Sequence, residues 1–317
     1  MLRYILKRLV QFIPVFFGVT LILFMITTVL PGDPVALRAG EKKLPPAVYQ
    51  EMRHAFGLDK PWYVQYVDYL GNLAKGDLGT SISSGRRVSD IFKETYPYTA
   101  RLASAAIIIE IIAGIGAGLV SALKRYTFWD TLVTLTTSIL VALPVFWLGI
   151  MLQYLFGVKL QILPISGASS ARFPEILHLV LPAVTLASVS TAYAARIMRS
   201  QLLEVSGQDY VRTAFAKGLS PSRVLWRHEM KNALIPVVTF VGLDFGAMLS
   251  GAILTETIFN WPGVGFTIYR AIGQRDFPVV FGGVTLVLIV VLVVNLLVDV
   301  SYAFLDPRIR YGSKAEG

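Results

Sequence analysis

Six stretches of this 317-residue chain run apolar for about twenty residues each, near residues 10–30, 102–123, 132–156, 176–198, 234–254 and 279–304. A bilayer offers no water to backbone N–H and C=O groups, so a lone segment of that length crosses it only as a helix. The expectation is an all-α polytopic membrane protein with six transmembrane helices. Composition agrees, with 55% of residues hydrophobic and only 15% charged.

Lysine and arginine set the orientation. Arg3, Lys7 and Arg8 precede the first stretch, Lys124 and Arg125 follow the second, many more lie between Arg196 and Lys231, and Arg308, Arg310 and Lys314 follow the last. The alternate short connections carry only Lys159, Arg172, Arg270 and Arg275. The positive-inside rule then places both termini and the basic region in the cytoplasm, and the long segment 31–98 outside. A secretory signal would also open on basic residues and an apolar run, but this run is too long, lacks a small-x-small exit and precedes further spans. The expected organisation is a tail with the first helix (1–30), an extracytoplasmic region (31–98), a five-helix core (99–304) with a cytoplasmic loop at 199–233, and a cytoplasmic tail (305–317).

The net charge of +9 follows from this asymmetry, and no basic patch interleaved with aromatics points to nucleic acid, so no nucleic-acid partner is expected. The chain has no cysteine, no phosphate-cradling G-x-x-x-x-G-K-[ST] loop and no G-x-S-x-G nucleophile setting, and His54, His178 and His228 lie far apart. The residues therefore predict no enzyme, no resident cofactor and no metal site.

Two acids stand at membrane depth, Glu110 in IIIEIIAG and Asp244 in VGLDFGAM. A bare charge is costly there, so each has to face protein or water, either at a helix contact or along a transport path. Glu256, Trp261 and Gly263 belong to a turn-rich aromatic stretch after the fifth span, which packs on the bundle rim or forms part of an outer gate. Small residues at Gly114 and Gly118, and at Gly242, Gly246 and Ser250, recur every four positions and predict close helix packing. In the outer region Trp62, Tyr66, Tyr69, Leu70 and Leu73 recur at helical spacing, as an interfacial anchor or a docking surface for a solute-binding protein.

The stretch 209–236 is basic, amphipathic and held between two apolar spans. It reads as a helix over 210–217 ending at Gly218, then a second helix with Ser220 as N-cap and Pro221 in its first turn. Tyr210, Val211, Ala214 and Phe215 are expected on one side of the first piece, and Arg223, Arg227 and Lys231 on one side of the second. Read alone, the segment is a loop at anionic headgroups or a part gripped by a cytoplasmic protein.

The order Tyr210, Arg212, Thr213, Ala214, Lys217, Gly218, Leu219, then His228, Asn232, Ala233, Leu234 and Pro236 resembles the coupling loop of ABC-importer permeases. More narrowly it resembles the first permease subunit of the dipeptide/oligopeptide/nickel family. The likeness runs through nearly the whole chain, with LPGDP at 30–34, GLDKP at 57–61, GDLGTS at 76–81, TETIFNWPGVG at 255–265, RDFPVV at 275–280 and DPRIRY at 306–311. Arg212, Thr213 and Ala214 stand where the broader signature begins Glu-Ala-Ala, and Phe215 stands where this subfamily has arginine.

The resemblance implies a type I ABC importer permease fold in a prokaryotic inner membrane, and a non-enzymatic subunit. Implied partners are a second homologous permease, two ABC ATPase subunits that bind ATP and Mg, an extracytoplasmic solute-binding protein and the lipid bilayer. It implies dipeptides or oligopeptides as cargo, with nickel complexes, glutathione or oligosaccharides as alternatives. It also puts Ala214, Gly218 and Leu219 at the corner, Arg212, Arg223 and His228 in polar contact with the ATPase, and Thr213 and Lys217 in the same segment. A proton-driven secondary transporter, motivated by Glu110 and Asp244, competes but gives the basic corner no partner. A membrane scaffold without transport is a third class.

Overall fold

Among the described residues of the computed structural model, 2–29, 45–55, 59–249 and 252–305, the regular elements are helices, with one isolated β-bridge between Thr80 and Arg87. In chain order they are α1 (Leu2–Val29), α2 (Pro46–Ala55), α3 (Trp62–Ala74), α4 (Val88–Leu123), α5 (Phe128–Ala142) and α6 (Val145–Lys159). There follow α7 (Glu175–Ser206), α8 (Asp209–Ala216), α9 (Pro221–Leu249), α10 (Ile253–Ile258), α11 (Val264–Gly273) and α12 (Phe277–Leu305). The expectations for LPGDP at 30–34, for Ser250 and for DPRIRY at 306–311 lie outside the described residues.

Five helices, α1, α4, α7, α9 and α12, are long and apolar enough to cross a membrane, and α5 with α6 makes a sixth crossing only as a broken pair. The single third span expected over 132–156 is thus corrected: the chain bends by 107° between α5 and α6. Pro144 is the cause, since it has no N–H to give and excludes the helical region for the residue before it. Leu143 accordingly lies at φ −83°, ψ 133°.

Helix ends also depart from the apolar windows, because hydropathy marks the lipid-crossing part of a helix and not its caps. Helix α1 begins at Leu2, so Lys7 and Arg8 belong to its first turns. Helix α4 begins at Val88, so the expected boundary at 98/99 falls inside it. The fifth span, expected to reach residue 254, ends at Leu249 among the described residues, and Ile253–Ile258 forms a separate short helix.

Helix α7 is the hub, packing against α4, α5, α6 and α9. Its buried positions include Ala183, Ala187, Ala192, Ala194 and Ala195, small enough for neighbouring backbones to come close. Gly114 and Gly118 of α4 meet this surface as expected. A Cβ at Gly118 would lie 2.5 Å from the Ala195 carbonyl oxygen and 2.6 Å from Met198 Cβ, whereas one at Gly116 would meet nothing within 4 Å. Gly118→Leu is expected to destabilise the protein by about 2–3 kcal/mol, and Gly116→Leu by far less, as read by thermal unfolding in detergent. On α9, a Cβ at Gly246 would lie 2.9 Å from Val294 Cγ1 of α12.

Two ends of the bundle can be told apart by what they carry. At one end α3 is tied inward: Tyr66 Oη lies 3.0 Å from Thr20 Oγ1, and Tyr69 Oη 2.6 Å from Thr285 Oγ1. Trp62, Tyr63 and Val67 on its other edge stay exposed. Val88, Phe92, Val264, Ile268 and Val279 form the core beside it. The other end carries α8 and the first turns of α9. Between the ends, Ile112, Leu135 and Leu297 are more exposed than buried, at 70%, 57% and 59%, as lipid-facing positions are.

Candidate functional site

The basic corner is built as its sequence dictates. Helix α8 closes with Gly218 at φ +81°, the left-handed position that glycine takes at no steric cost. The Leu219 N–H donates to the Ala214 carbonyl at 3.3 Å and the Gly218 N–H to the Phe215 carbonyl at 2.9 Å, the two bonds of a Schellman cap. Ser220 takes the N-cap position and Pro221 the first turn of α9, but the Ser220 side chain makes no capping hydrogen bond. Helix α9 then widens into a π turn at Leu225–Glu229.

Val211 and Ala214 face inward onto Val224, with Val205 and Leu219 packed beside them. Leu225 and Met230 continue that contact into the cluster of Ala122, Met198, Leu202 and Ala233. The expected single face of the first piece is therefore split: Val211 and Ala214 are buried, while Tyr210 and Phe215 are 41% and 47% exposed. A helix this short has room for one apolar side, and the turn behind it accepts only the small pair.

Arg212, Thr213, Lys217, Gly218 and Arg223 are exposed, whereas Leu219 and His228 are half-buried. Arg227 and Lys231 are also exposed, although the π turn breaks their even register with Arg223. The Asn232 amide donates to Tyr210 Oη at 2.8 Å, tying the end of the segment to its beginning. Arg212 and Asp209, 3.6 Å apart and both exposed, add little. Trp226, 61% exposed, joins Phe215 and the cations on the outer surface. Sequence reasoning missed Trp226, although an aromatic inside a basic amphipathic run is a legible sign of a contact surface.

A partly buried ion pair holds the same end together. The Arg199 guanidinium of α7 donates from Nε and Nη2 to both Asp130 oxygens, at 2.8 and 2.9 Å. The Ser121 hydroxyl and the Tyr126 N–H donate to the same carboxylate at 2.5 and 2.9 Å. The turn between α4 and α5 is thereby locked to the helix that leads into the corner. Nothing in the sequence pairs residues so far apart.

The five candidate path or gate residues fall into two separate groups. Glu110 and Asp244 come together inside the bundle. Glu256, Trp261 and Gly263 come together at the other end with Tyr98 and Thr99. There the Thr99 hydroxyl donates to Glu256 Oε1 at 2.6 Å and accepts from the Val264 N–H at 2.8 Å, while the Phe266 N–H donates to Glu256 Oε2 at 2.9 Å. The Trp261 indole donates to the Tyr98 carbonyl at 2.9 Å. Burial pushes the Glu256 carboxyl above its ordinary range, with the Thr99 hydroxyl and the N–H groups of Phe266 and Gly265 pulling the other way. The carboxylate caps the N-terminus of α11, so the group reads as a rigid clamp of the rim.

Asp276 makes a second clamp that the sequence did not announce. Its carboxylate accepts from the hydroxyls of Ser81 and Ser83 at 2.6 and 2.7 Å and from the N–H groups of Ile82 and Ser83 at 3.0 and 3.1 Å. Burial alone would raise this carboxyl, but the Ser81 and Ser83 hydroxyls and the two N–H groups outweigh it and hold it below the usual carboxylate value. A depressed value means that the contribution is full above the unfolded-state value of about 3.9 and is lost as pH falls through the folded one. Asp276→Asn is expected to lower the melting temperature at neutral pH and to narrow its gap from the unmodified protein at roughly pH 3. Melting curves of both proteins across that range check it.

His178 is buried between Ser170 Oγ at 2.9 Å and the Gly167 carbonyl at 3.0 Å. Among the described residues no group of three or more His, Cys, Asp or Glu has metal-holding geometry.

Comparison with known proteins matches this arrangement at the level of the whole chain. Residues 114–311 fit the family described as "Binding-protein-dependent transport system inner membrane component", and residues 1–103 fit its N-terminal counterpart. The Di/tripeptide transport system permease protein DppB of Pseudomonas aeruginosa is 42% identical, covering 98% of this chain and 99% of that protein. The Oligopeptide transport system permease protein AppB of Bacillus subtilis and the Glutathione transport system permease protein GsiC of Escherichia coli are each 38% identical, covering 98% of this chain and 100% of theirs. A chain of the inward-facing MetNI methionine ABC transporter superposes with a TM-score of 0.54 at 14% identity, over 68% of this chain and 96% of that one. That likeness carries the fold, that of an ABC-importer permease. With both models matched and identity near 40% from end to end, the chain belongs to the binding-protein-dependent transport system inner membrane components, multi-pass proteins of the inner membrane.

Proposed function

We propose that this chain is the permease subunit of an ABC importer that carries dipeptides or oligopeptides, working beside a second homologous permease. Two separate ATPase subunits bind ATP and Mg, and an extracytoplasmic binding protein delivers the cargo. The observation that carries the reading is the basic corner: its exposed face of Phe215, Trp226 and cations is backed by side chains packed without interruption into the helix core. Closure of an ATP-bound ATPase pair would grip that face, and the packing of Val211, Ala214 and Val224 would transmit the movement to α7 and α9. The cargo reading rests on relatives named for di/tripeptide and oligopeptide transport. Both termini and the corner lie in the cytoplasm in this reading, as the lysine and arginine distribution requires.

Uptake of a radiolabelled tripeptide in cells lacking the chain tests it. Loss of uptake, restored by the intact gene, is the expected result. Normal tripeptide uptake together with lost glutathione uptake would move the cargo assignment while leaving the importer intact.

A further inference from the structure

A polar layer lies between two apolar ones in the middle of the bundle. One apolar cluster joins Ala103 and Ala106 of α4, Ala187 of α7 and Met248 of α9. The other joins Ala122 of α4, Met198 of α7, and Val237 and Val241 of α9, with Ile115 and Leu119 against it. Passing along each helix from the first cluster to the second, α4 presents Glu110, α7 presents Thr191 and α9 presents Asp244.

Glu110 is fully buried, and the half-buried Asp244 is the ionisable group beside it. Both Glu110 oxygens, Thr191 Oγ1 and Asp244 Oδ2 are buried without a hydrogen-bond partner. Such orphaned oxygens are rare in native structures, and several in one layer mark a place where something is held. The backbone points the same way, because the one π turn of α4, Glu110–Gly114, begins at this glutamate, and π turns inside long helices frequently accompany sites.

Glu110 is fully buried and faces a second acid, the half-buried Asp244, with no cation among the described residues to offset its charge. A metal ion is a poor fit: two carboxyls and one hydroxyl fall short of the six to eight oxygens that calcium takes, and no cluster of three ligating residues exists among the described residues. A proton needs only two oxygens. We propose that Glu110 and Asp244 form a proton-sharing carboxyl pair, in which the O–H of one acid donates to the carboxylate of the other and the Thr191 hydroxyl donates to a remaining oxygen.

The site clamps α4 to α9, with α7 supplying the third group. It is independent of the cargo reading and of ATPase docking, since it asks only that the helices pack as they do.

Infrared difference spectroscopy of the complete purified complex in nanodiscs at neutral pH tests the pair. The expected result is a protonated-carboxyl C=O band in the unmodified complex that Glu110→Gln removes and Asp244→Asn shifts or removes. Both variants should still assemble, because a neutral amide can stand in for a neutral acid; if one fails to assemble, the other gives the same reading. Identical spectra for the unmodified complex and either assembled variant would overturn the proposal, since both acids would then be ionised or hold no shared proton. A band present in choline buffer and absent in sodium buffer would overturn it in favour of a bound metal cation.

Discussion

Gly263→Ala is expected to cost about 3–5 kcal/mol and to leave little folded protein, a large effect for one methyl group. The backbone at Gly263 is extended, at φ −90° and ψ −176°, so conformation is not the reason. The reason is space: a Cβ there would enter the Glu256 carboxyl group itself. Glu256 cannot give way cheaply, because it is fully buried and holds the Thr99 hydroxyl and the Phe266 N–H. Displacing it leaves those donors unmet in the core. Gly273→Ala, where a Cβ meets nothing within 4 Å, is the control and should melt like the unmodified protein. A Gly263→Ala protein that melts normally but no longer transports would instead make this stretch a moving gate.

Gly218→Val acts on function and not on space. No atom lies within 4 Å of a Cβ at Gly218, so the whole penalty comes from forcing a β-branched residue to φ +81°. That penalty is on the order of 1–2 kcal/mol, which disfavours the native corner roughly tenfold. In a reconstituted complex, peptide transported per ATP hydrolysed should fall by about that factor while assembly is kept and the melting temperature drops by only a few degrees. Gly218→Asn should retain most of the coupling, because asparagine tolerates the left-handed region. Equal transport-to-ATPase ratios for valine and glycine would show that the corner's geometry does not carry the coupling.

The difference between these two sites explains what was readable in the sequence. Gly218 was legible because a left-handed cap is local: its glycine, the preceding helix and the following Ser220-Pro221 stand side by side. The Gly114 and Gly118 stripe was legible for the same reason, being a period along one helix. Each long apolar helix was legible because lipid demands length, although the 107° break at Pro144 shows that hydropathy counts apolar residues without asking whether the backbone can run straight through them. The clamps were not legible. Asp130 meets Arg199, and Asp276 meets Ser81 and Ser83, across long separations that only the fold closes. Glu110 and Asp244 were each conspicuous as acids in apolar runs, but their meeting depends on how α4 and α9 are rotated about their axes, which composition does not encode.

In the proposed function the exposed face of the corner docks on an ATPase. Because the chain contains no cysteine, a single introduced one is a unique handle. Phe215→Cys and Trp226→Cys variants, expressed with the rest of the complex, would be labelled in native membranes with a benzophenone maleimide and illuminated, and the cross-linked products identified by mass spectrometry. Tyr63→Cys, on the exposed edge of α3 at the other end of the bundle, serves as the comparison. Cross-links to an ATPase subunit are expected from positions 215 and 226 and none from position 63. Efficient labelling at 215 and 226 with no ATPase captured, or ATPase captured from 63 instead, would contradict it.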